Sequence, residues 1–274
     1  MGKDFSDWVG RRETAEDVIS PAPVSRLAAT LGRYDPAPRP GDPLPPCWHW
    51  LYFLEATPRA DLSPDGHARR GGFLPPSDLP RRMWAGGRLT FHKPLRVGEA
   101  ARRESEILSI TAKQGRSGDL LFVTVRHEIS GEDGVAVTEE HDIVYREASS
   151  GSAARPGEQP PNDALWRREI TPDAALLFRF SALIFNAHRI HYDREYATIT
   201  EGYPGLVVHG PLTAILLLDL LRDETPGREL AGFDYQALAP LFDTASFTLA
   251  GTATMLWAER PDGTMAMRGN TSFR

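Results

Sequence analysis

The sequence predicts an α+β fold made of two copies of one unit. Three observations predict it. The order helix, loop, apolar segment, hairpin-linked strands occurs twice along the 274 residues, as a repeated supersecondary unit would require. Gly131-Glu132-Asp133-Gly134 separates two strand-like apolar runs, a β-hairpin signal. Pro211 to about Leu221 is apolar on nearly every side, so that helix must be wrapped by protein.

The elements follow in order. Ser20-Pro21 reads as an N-cap and first helical residue, and Gly32 as the stop. Residues 35–46 are proline-rich and irregular. Cys47 to Leu54 is aromatic and apolar, hence a buried helix or strand. Residues 56–87 form a long Gly/Pro/Arg-rich loop, and loops of that length are often functional. Strand texture runs from Arg88 to Tyr145. Ala148 to Asn162, rich in Ser, Gly, Pro and Ala, reads as a linker. Pro172 to Phe185 has helical groupings, Phe242 to Leu256 is strand-like, and Pro261-Asp262-Gly263 is a turn. The division is therefore an N-terminal unit at 1–147, a linker at 148–162 and a C-terminal unit at 163–274.

Composition excludes several classes. The net charge of −6 argues against a nucleic-acid binder. The single cysteine, Cys47, permits no intramolecular disulfide and fits a reducing cytoplasm. The longest apolar run, Leu212 to Leu218, is far short of the roughly 20 residues of a membrane span.

Two stretches carry chemistry. Asn186-Ala187-His188-Arg189-Ile190-His191-Tyr192-Asp193 packs two histidines, an amide and a carboxylate together. Val207-Val208-His209-Gly210-Pro211 then opens the apolar helix. Amides at a helix start lack intrahelical partners and lie at the positive end of the dipole. Gly210 also lets a ligand approach the backbone closely. A thioester carbonyl becoming an enolate oxyanion wants such a site. His191 can act as acid or base near neutral pH, with Asn186, His188 or Asp193 orienting it or a water. A metal set of His188, His191 and Asp193 is the weaker alternative, because the spacing lacks a helical i,i+4 pair. No metal or other cofactor is expected.

These stretches resemble the MaoC-like branch of the hot-dog superfamily. More narrowly they are similar to its two-domain branch, which holds type 2 hydroxyacyl-thioester dehydratases and mesaconyl-C4-CoA hydratases. The resemblance implies a double hot-dog: in each half a curved antiparallel sheet wraps a long central helix, with the N-terminal copy degenerate. The family signature D-x-N-x-x-H places its His on His191, its Asp on Asn186 and its Asn on His188, so the family carboxylate is missing. The oxyanion glycine falls on Gly210.

The function implied is a hydro-lyase that adds or removes water across the C2–C3 bond of an enoyl-CoA or enoyl-ACP. The best specific substrate is mesaconyl-C4-CoA (3-methylfumaryl-CoA), followed by a fatty 3-hydroxyacyl thioester. His191, Asn186 and Gly210 are the catalytic set. His188, Arg189, Asp193 and His209 are expected at the substrate, Arg189 pairing with a substrate carboxylate. The expected setting is cytoplasmic, without membrane or nucleic acid, as a homo-oligomer. A hot-dog thioesterase is the rival enzyme; its helix carboxylate would have to be Asp219. A non-catalytic acyl-thioester-binding protein is the rival outside enzymes.

Overall fold

The computed structural model of the chain describes residues 4–115, 118–147 and 157–274. The expected linker therefore falls partly outside the described residues. Ten strands form one antiparallel sheet. The first half contributes β1 (Arg12–Val18), β2 (Arg81–Phe91), β3 (Ala100–Gly115), β4 (Gly118–Gly131) and β5 (Gly134–Arg146). The second half contributes β6 (Trp166–Ile170), β7 (Leu230–Ala237), β8 (Phe247–Gly251), β9 (Met255–Glu259) and β10 (Met265–Phe273).

The sheet order is β1-β3-β4-β5-β2-β7-β10-β9-β8-β6. Counted from either edge inward, the first half reads first, third, fourth, fifth, second, and so does the second half. The repeat seen as texture is thus a repeat of topology. The halves join at β2 and β7, where Gly87 faces Tyr235 and Leu89 faces Phe233.

Each half begins with a strand and a short helix, α1 (Pro21–Thr30) after β1 and α2 (Ala174–Leu183) after β6. Ser20 and Pro21 start α1 as their residue types require. The Asp173 carboxylate accepts the Leu176 N–H at 2.7 Å and caps α2. The long helix α3 (Gly210–Glu224) packs against β6, β8 and β9. Every residue from Leu212 to Leu221 is buried. A fully buried leucine is worth roughly 1.5–3 kcal/mol of transfer free energy, so this helix anchors the second half.

Two architectural expectations need correcting: the loop expected at 56–87 ends at Pro80, because β2 begins at Arg81 and pairs with β5 from there, and a long helix does not occur in each half. It exists in the second half. In the first, the corresponding segment is a 3-10 turn, Trp48–Leu51, entered through Cys47 at φ 66°. Prolines 36, 38, 40, 43, 45 and 46 lie immediately before it. Each interior proline costs a helix about 3 kcal/mol, so none propagates there. Trp48 and Leu51 nevertheless reach the core that α3 fills. Among the described residues, no helix is long and apolar enough to cross a membrane.

Candidate active site

The site lies where the two halves meet. Phe185 takes φ 48° just after α2 and turns the chain back, and the Asn186 N–H bonds the Ser181 carbonyl at 2.8 Å. Residues Arg189–His191 then form a 3-10 turn. The segment before α3 runs alongside it, with the Val207 N–H on the Ile190 carbonyl at 3.0 Å. His191 and Gly210 are thereby brought to the wall of a single cavity of about 810 Å³.

His191 is buried and its Nδ1 lies 2.7 Å from the Val207 carbonyl oxygen. A carbonyl only accepts, so Nδ1 carries the proton and Nε2 keeps a lone pair. Nε2 has no hydrogen-bond partner among the described residues. Burial drives the imidazole pKa down to about 4, so it is neutral at physiological pH. The ring stacks on His209, 3.7 Å between centroids and 15° from parallel. His209 Nε2 is 2.8 Å from the Ser181 hydroxyl, and burial holds this imidazole well below its usual pKa. Asn186 Oδ1 accepts the His188 N–H at 3.0 Å, so Asn186 offers its NH₂ group to the cavity it lines.

Gly210 opens α3, and its N–H meets no acceptor among the described residues. A Cβ on Gly210 would overlap the Trp84 ring. Glycine is therefore required here for close approach across the interface. Trp84 is itself held, stacked on Tyr235 at 4.4 Å and edge-on to Trp50 at 5.7 Å.

A loop of the first half completes the site. Residues 61–69 form a small hairpin, in which Arg69 N–H bonds the Asp61 carbonyl at 2.9 Å and Ser63 N–H the His67 carbonyl at 2.7 Å. Its tip docks on the site stretch: Arg189 N–H donates to the Asp65 carbonyl at 2.9 Å. The Asp65 carboxylate and His67 Nδ1 are 3.0 Å apart, and the His67 ring centre is 3.9 Å from that of His188. His188 in turn sits 5.3 Å from His191, edge to face. Burial, reinforced by His67 and His191, takes the His188 pKa down to about 2. Asp65, His67 and His188 hold ligand-type atoms within 4.8 Å of one another. Those are the residues able to share a cation, and not the set His188, His191 and Asp193, since Asp193 is turned to Arg189.

The first-half wall sets a few buried polar groups among apolar residues such as Phe53, Val125, Ile129 and Ile143. Glu139 is buried, with its carboxylate 3.2 Å from His49 Nε2 and 3.0 Å from the Trp50 Nε1–H. Burial alone would raise its pKa, but the His49 hydrogen bond and neighbouring histidines hold it down at about 2. His127 and His141 share that wall, and burial takes His127 to about 4.

The structure thus brings together His188, His191, His209, Asn186 and Gly210. Arg189 and Asp193 do not line the cavity: they pair with each other at 2.8 Å, and the Arg189 guanidinium also reaches the Pro64 carbonyl and the Tyr196 ring. Asp219 is absent from the cavity as well, facing Arg222 and Arg33 at 3.1 and 3.7 Å. Sequence reasoning missed Asp65, His67 and Trp84. Only the length of the 56–87 loop signalled them.

A repeated sheet topology with a neutral imidazole and a helix-start amide on one cavity has the parts an acyl-thioester hydro-lyase needs. The chain belongs to the Htd2 family, hydroxyacyl-thioester dehydratase type 2, whose profile matches residues 47–243. It is 52% identical over 269 residues to the mesaconyl-C(4)-CoA hydratase of Chloroflexus aurantiacus, covering 96% of each chain. It is 28% identical to the mitochondrial hydroxyacyl-thioester dehydratase type 2 of Schizosaccharomyces pombe, covering 89% of this chain and 92% of that one. A Mycobacterium tuberculosis protein described as a double hotdog fold superposes with a TM-score of 0.60 at 13% identity, covering 99% and 98%. The chain is accordingly a hydratase/dehydratase of acyl thioesters.

Proposed function

We propose that the chain hydrates a short enoyl-CoA ester bearing a free carboxylate, of the mesaconyl-C4-CoA (3-methylfumaryl-CoA) type. The observation that carries this is the shared cavity of His191 and Gly210, which also holds buried polar groups of the first half. In the proposed reaction His191 Nε2 takes a proton from water as the water oxygen bonds to the carbon β to the thioester. The C=C electron pair moves toward the thioester carbonyl, and its oxygen receives the Gly210 N–H at the positive end of α3. The imidazolium then returns its proton to the α-carbon, so one group serves both transfers. Asn186, an amide, takes no proton and holds the water through its NH₂.

Among the apolar residues of the cavity, the buried polar groups of His49, His127, Glu139 and His141 suit an acyl group that itself carries polar atoms, since a fatty chain packed on them would leave them without water. The division at 148–162, a cytosolic location and homo-oligomer formation belong to the same proposal. The test is a panel of enoyl-CoA esters followed by loss of conjugated absorbance. The mesaconyl-C4 ester should be hydrated fastest, and His191→Ala should lose roughly 10²–10⁴-fold in kcat/KM with the fold intact. Release of free CoA without double-bond chemistry would point to a thioesterase instead.

A further inference from the structure

Resting on that reading, we infer that Arg82 is the binding site for the free carboxylate of the acyl group. Arg82 lines the cavity from β2. It lies two residues before Trp84, which touches Gly210, so the two side chains share a face of the strand about 7 Å apart. Met83, between them, is exposed. An acyl group with a four-carbon backbone whose thioester oxygen sits at Gly210 therefore carries its far end toward Arg82.

The surroundings of Arg82 lack an anion. Across the strand pair it faces Tyr145, and its charge lies near that hydroxyl. Its positive field is felt at His67, His141 and His188, none of which is negative. No carboxylate pairs with it among the described residues. The neighbouring arginines differ. Arg81 pairs with Glu201 at 3.5 Å, Arg189 with Asp193, and Arg70 donates to the carbonyls of Ser77, Leu79 and Pro80. Arg69, Arg103 and Arg146 also line the cavity, but Arg103 is 3.9 Å from Glu13 and Arg146 stands opposite Arg81, one residue farther from Trp84. Of the cavity arginines, Arg82 is the one that shares the strand face of Trp84. A guanidinium beside a tyrosine hydroxyl, facing only neutral imidazoles, is built to take a carboxylate through charge-assisted hydrogen bonds.

The experiment compares two esters that differ only at that end: mesaconyl-C4-CoA and the analogue with a methyl group in place of the carboxylate. The readout is the ratio of their kcat/KM values. Arg82→Gln should lower the ratio by roughly 10- to 100-fold, the worth of hydrogen bonds to a charged group. Arg82→Lys should retain part of it, because the charge stays and the fork is lost. Arg146→Gln and Arg69→Gln serve as comparisons. A ratio unmoved by Arg82→Gln, or moved instead by Arg146→Gln or Arg69→Gln, overturns the assignment while the hydratase reading stands. A wild-type chain that hydrates neither ester overturns both. Inhibition by succinyl-CoA against butyryl-CoA gives a second readout for Arg82→Lys if the Gln variant fails to fold; equal relative inhibition in wild type and variant also overturns it.

Discussion

His191 and His209 lie face to face, 3.7 Å apart and 15° from parallel. Two buried imidazoles in that contact cannot both be cationic, and burial already holds His191 at about 4. The acid limb of kcat/KM reports the free enzyme's essential base. It should therefore fall well below the 6.5 of an ordinary histidine. A rate profile from pH 4.5 to 8 checks this, and half-loss of activity near 6.5 would contradict it.

The same depressed imidazoles make the fold acid-sensitive. The sign follows from proton binding. For His191, an unfolded pKa of about 6.5 and a folded value of about 4 mean that the unfolded chain binds the extra proton between those limits. Stability is thus complete above 6.5 and is lost as pH falls toward 4. From pH 6.5 to 5, His191 alone removes roughly 2 kcal/mol. His67, His127, His141, His188 and His209 act in the same direction. Asp219, raised by burial to about 6, acts in the opposite one. The lowered carboxyls of Asp65 and Glu139 lose their contribution only below about 4.5. Thermal melts should show Tm falling steeply between pH 6.5 and 5, ahead of ordinary carboxylate titration.

Asn186→Asp would restore a carboxylate at the position where the family signature has one. The aspartate could still accept the His188 N–H that Asn186 Oδ1 accepts at 3.0 Å. Its charge would favour the cationic forms of His188 and His191. The acid limb should therefore move up by about one pH unit or more. Profiles of the variant and parent, measured side by side, decide it; coincident limbs would show that residue 186 does not face His191 electrostatically.

Much of the fold was legible because local signals agreed with it. Ser20-Pro21 began α1, Gly131 to Gly134 closed the β4–β5 hairpin, and the continuous apolar run of α3 is buried throughout. His191 and Gly210 meet because the segment before α3 runs back alongside the 3-10 turn, with the Val207 N–H on the Ile190 carbonyl, so a pattern of a polar stretch followed by a helix start could point to both. Asp65 and His67 were not legible. They reach the site through long-range docking of the first half, and nothing in the local sequence of 61–69 encodes its partner 120 residues onward. Arg189 misled for the converse reason: adjacency in sequence to His188 implies nothing about side-chain direction in a tight turn, and Asp193 at i+4 captured it.

That docking depends on Gly66. It takes φ 92°, and a Cβ there would overlap the Ala187 carbonyl oxygen. A flexible neighbour could move aside, but a backbone carbonyl cannot. Gly66→Ala should lift the 61–69 hairpin from the site stretch and part His67 from His188. The expected cost is about 1–3 kcal/mol of strain, a loss in kcat/KM, and faster proteolysis within the hairpin. Limited proteolysis with and without an enoyl-CoA ester measures it. Dialysis of the parent against a chelator belongs beside it: unchanged activity agrees with an Asp65–His67 hydrogen bond, and loss restored by Zn²⁺ would make the same three residues a metal site.

Gly210→Ala separates the oxyanion role from simple packing. Gly210 has an ordinary backbone φ, so alanine costs nothing in conformation; the obstacle is the Trp84 ring. That ring is fixed by Tyr235 on its face and Trp50 at its edge, and Tyr235 crosses the β2–β7 junction that joins the halves. Overpacking at such a place costs about 1–3 kcal/mol. The single variant should melt lower and lose most activity, because α3 must shift relative to the first half and carry its first amide with it. Trp84→Leu in the same chain removes the clash. If the Gly210 N–H holds the thioester oxygen, the double variant should regain stability and a large share of kcat, since alanine retains the amide. Recovery of Tm without recovery of kcat would mean that the ring of Trp84, and not the amide of residue 210, is what the substrate requires.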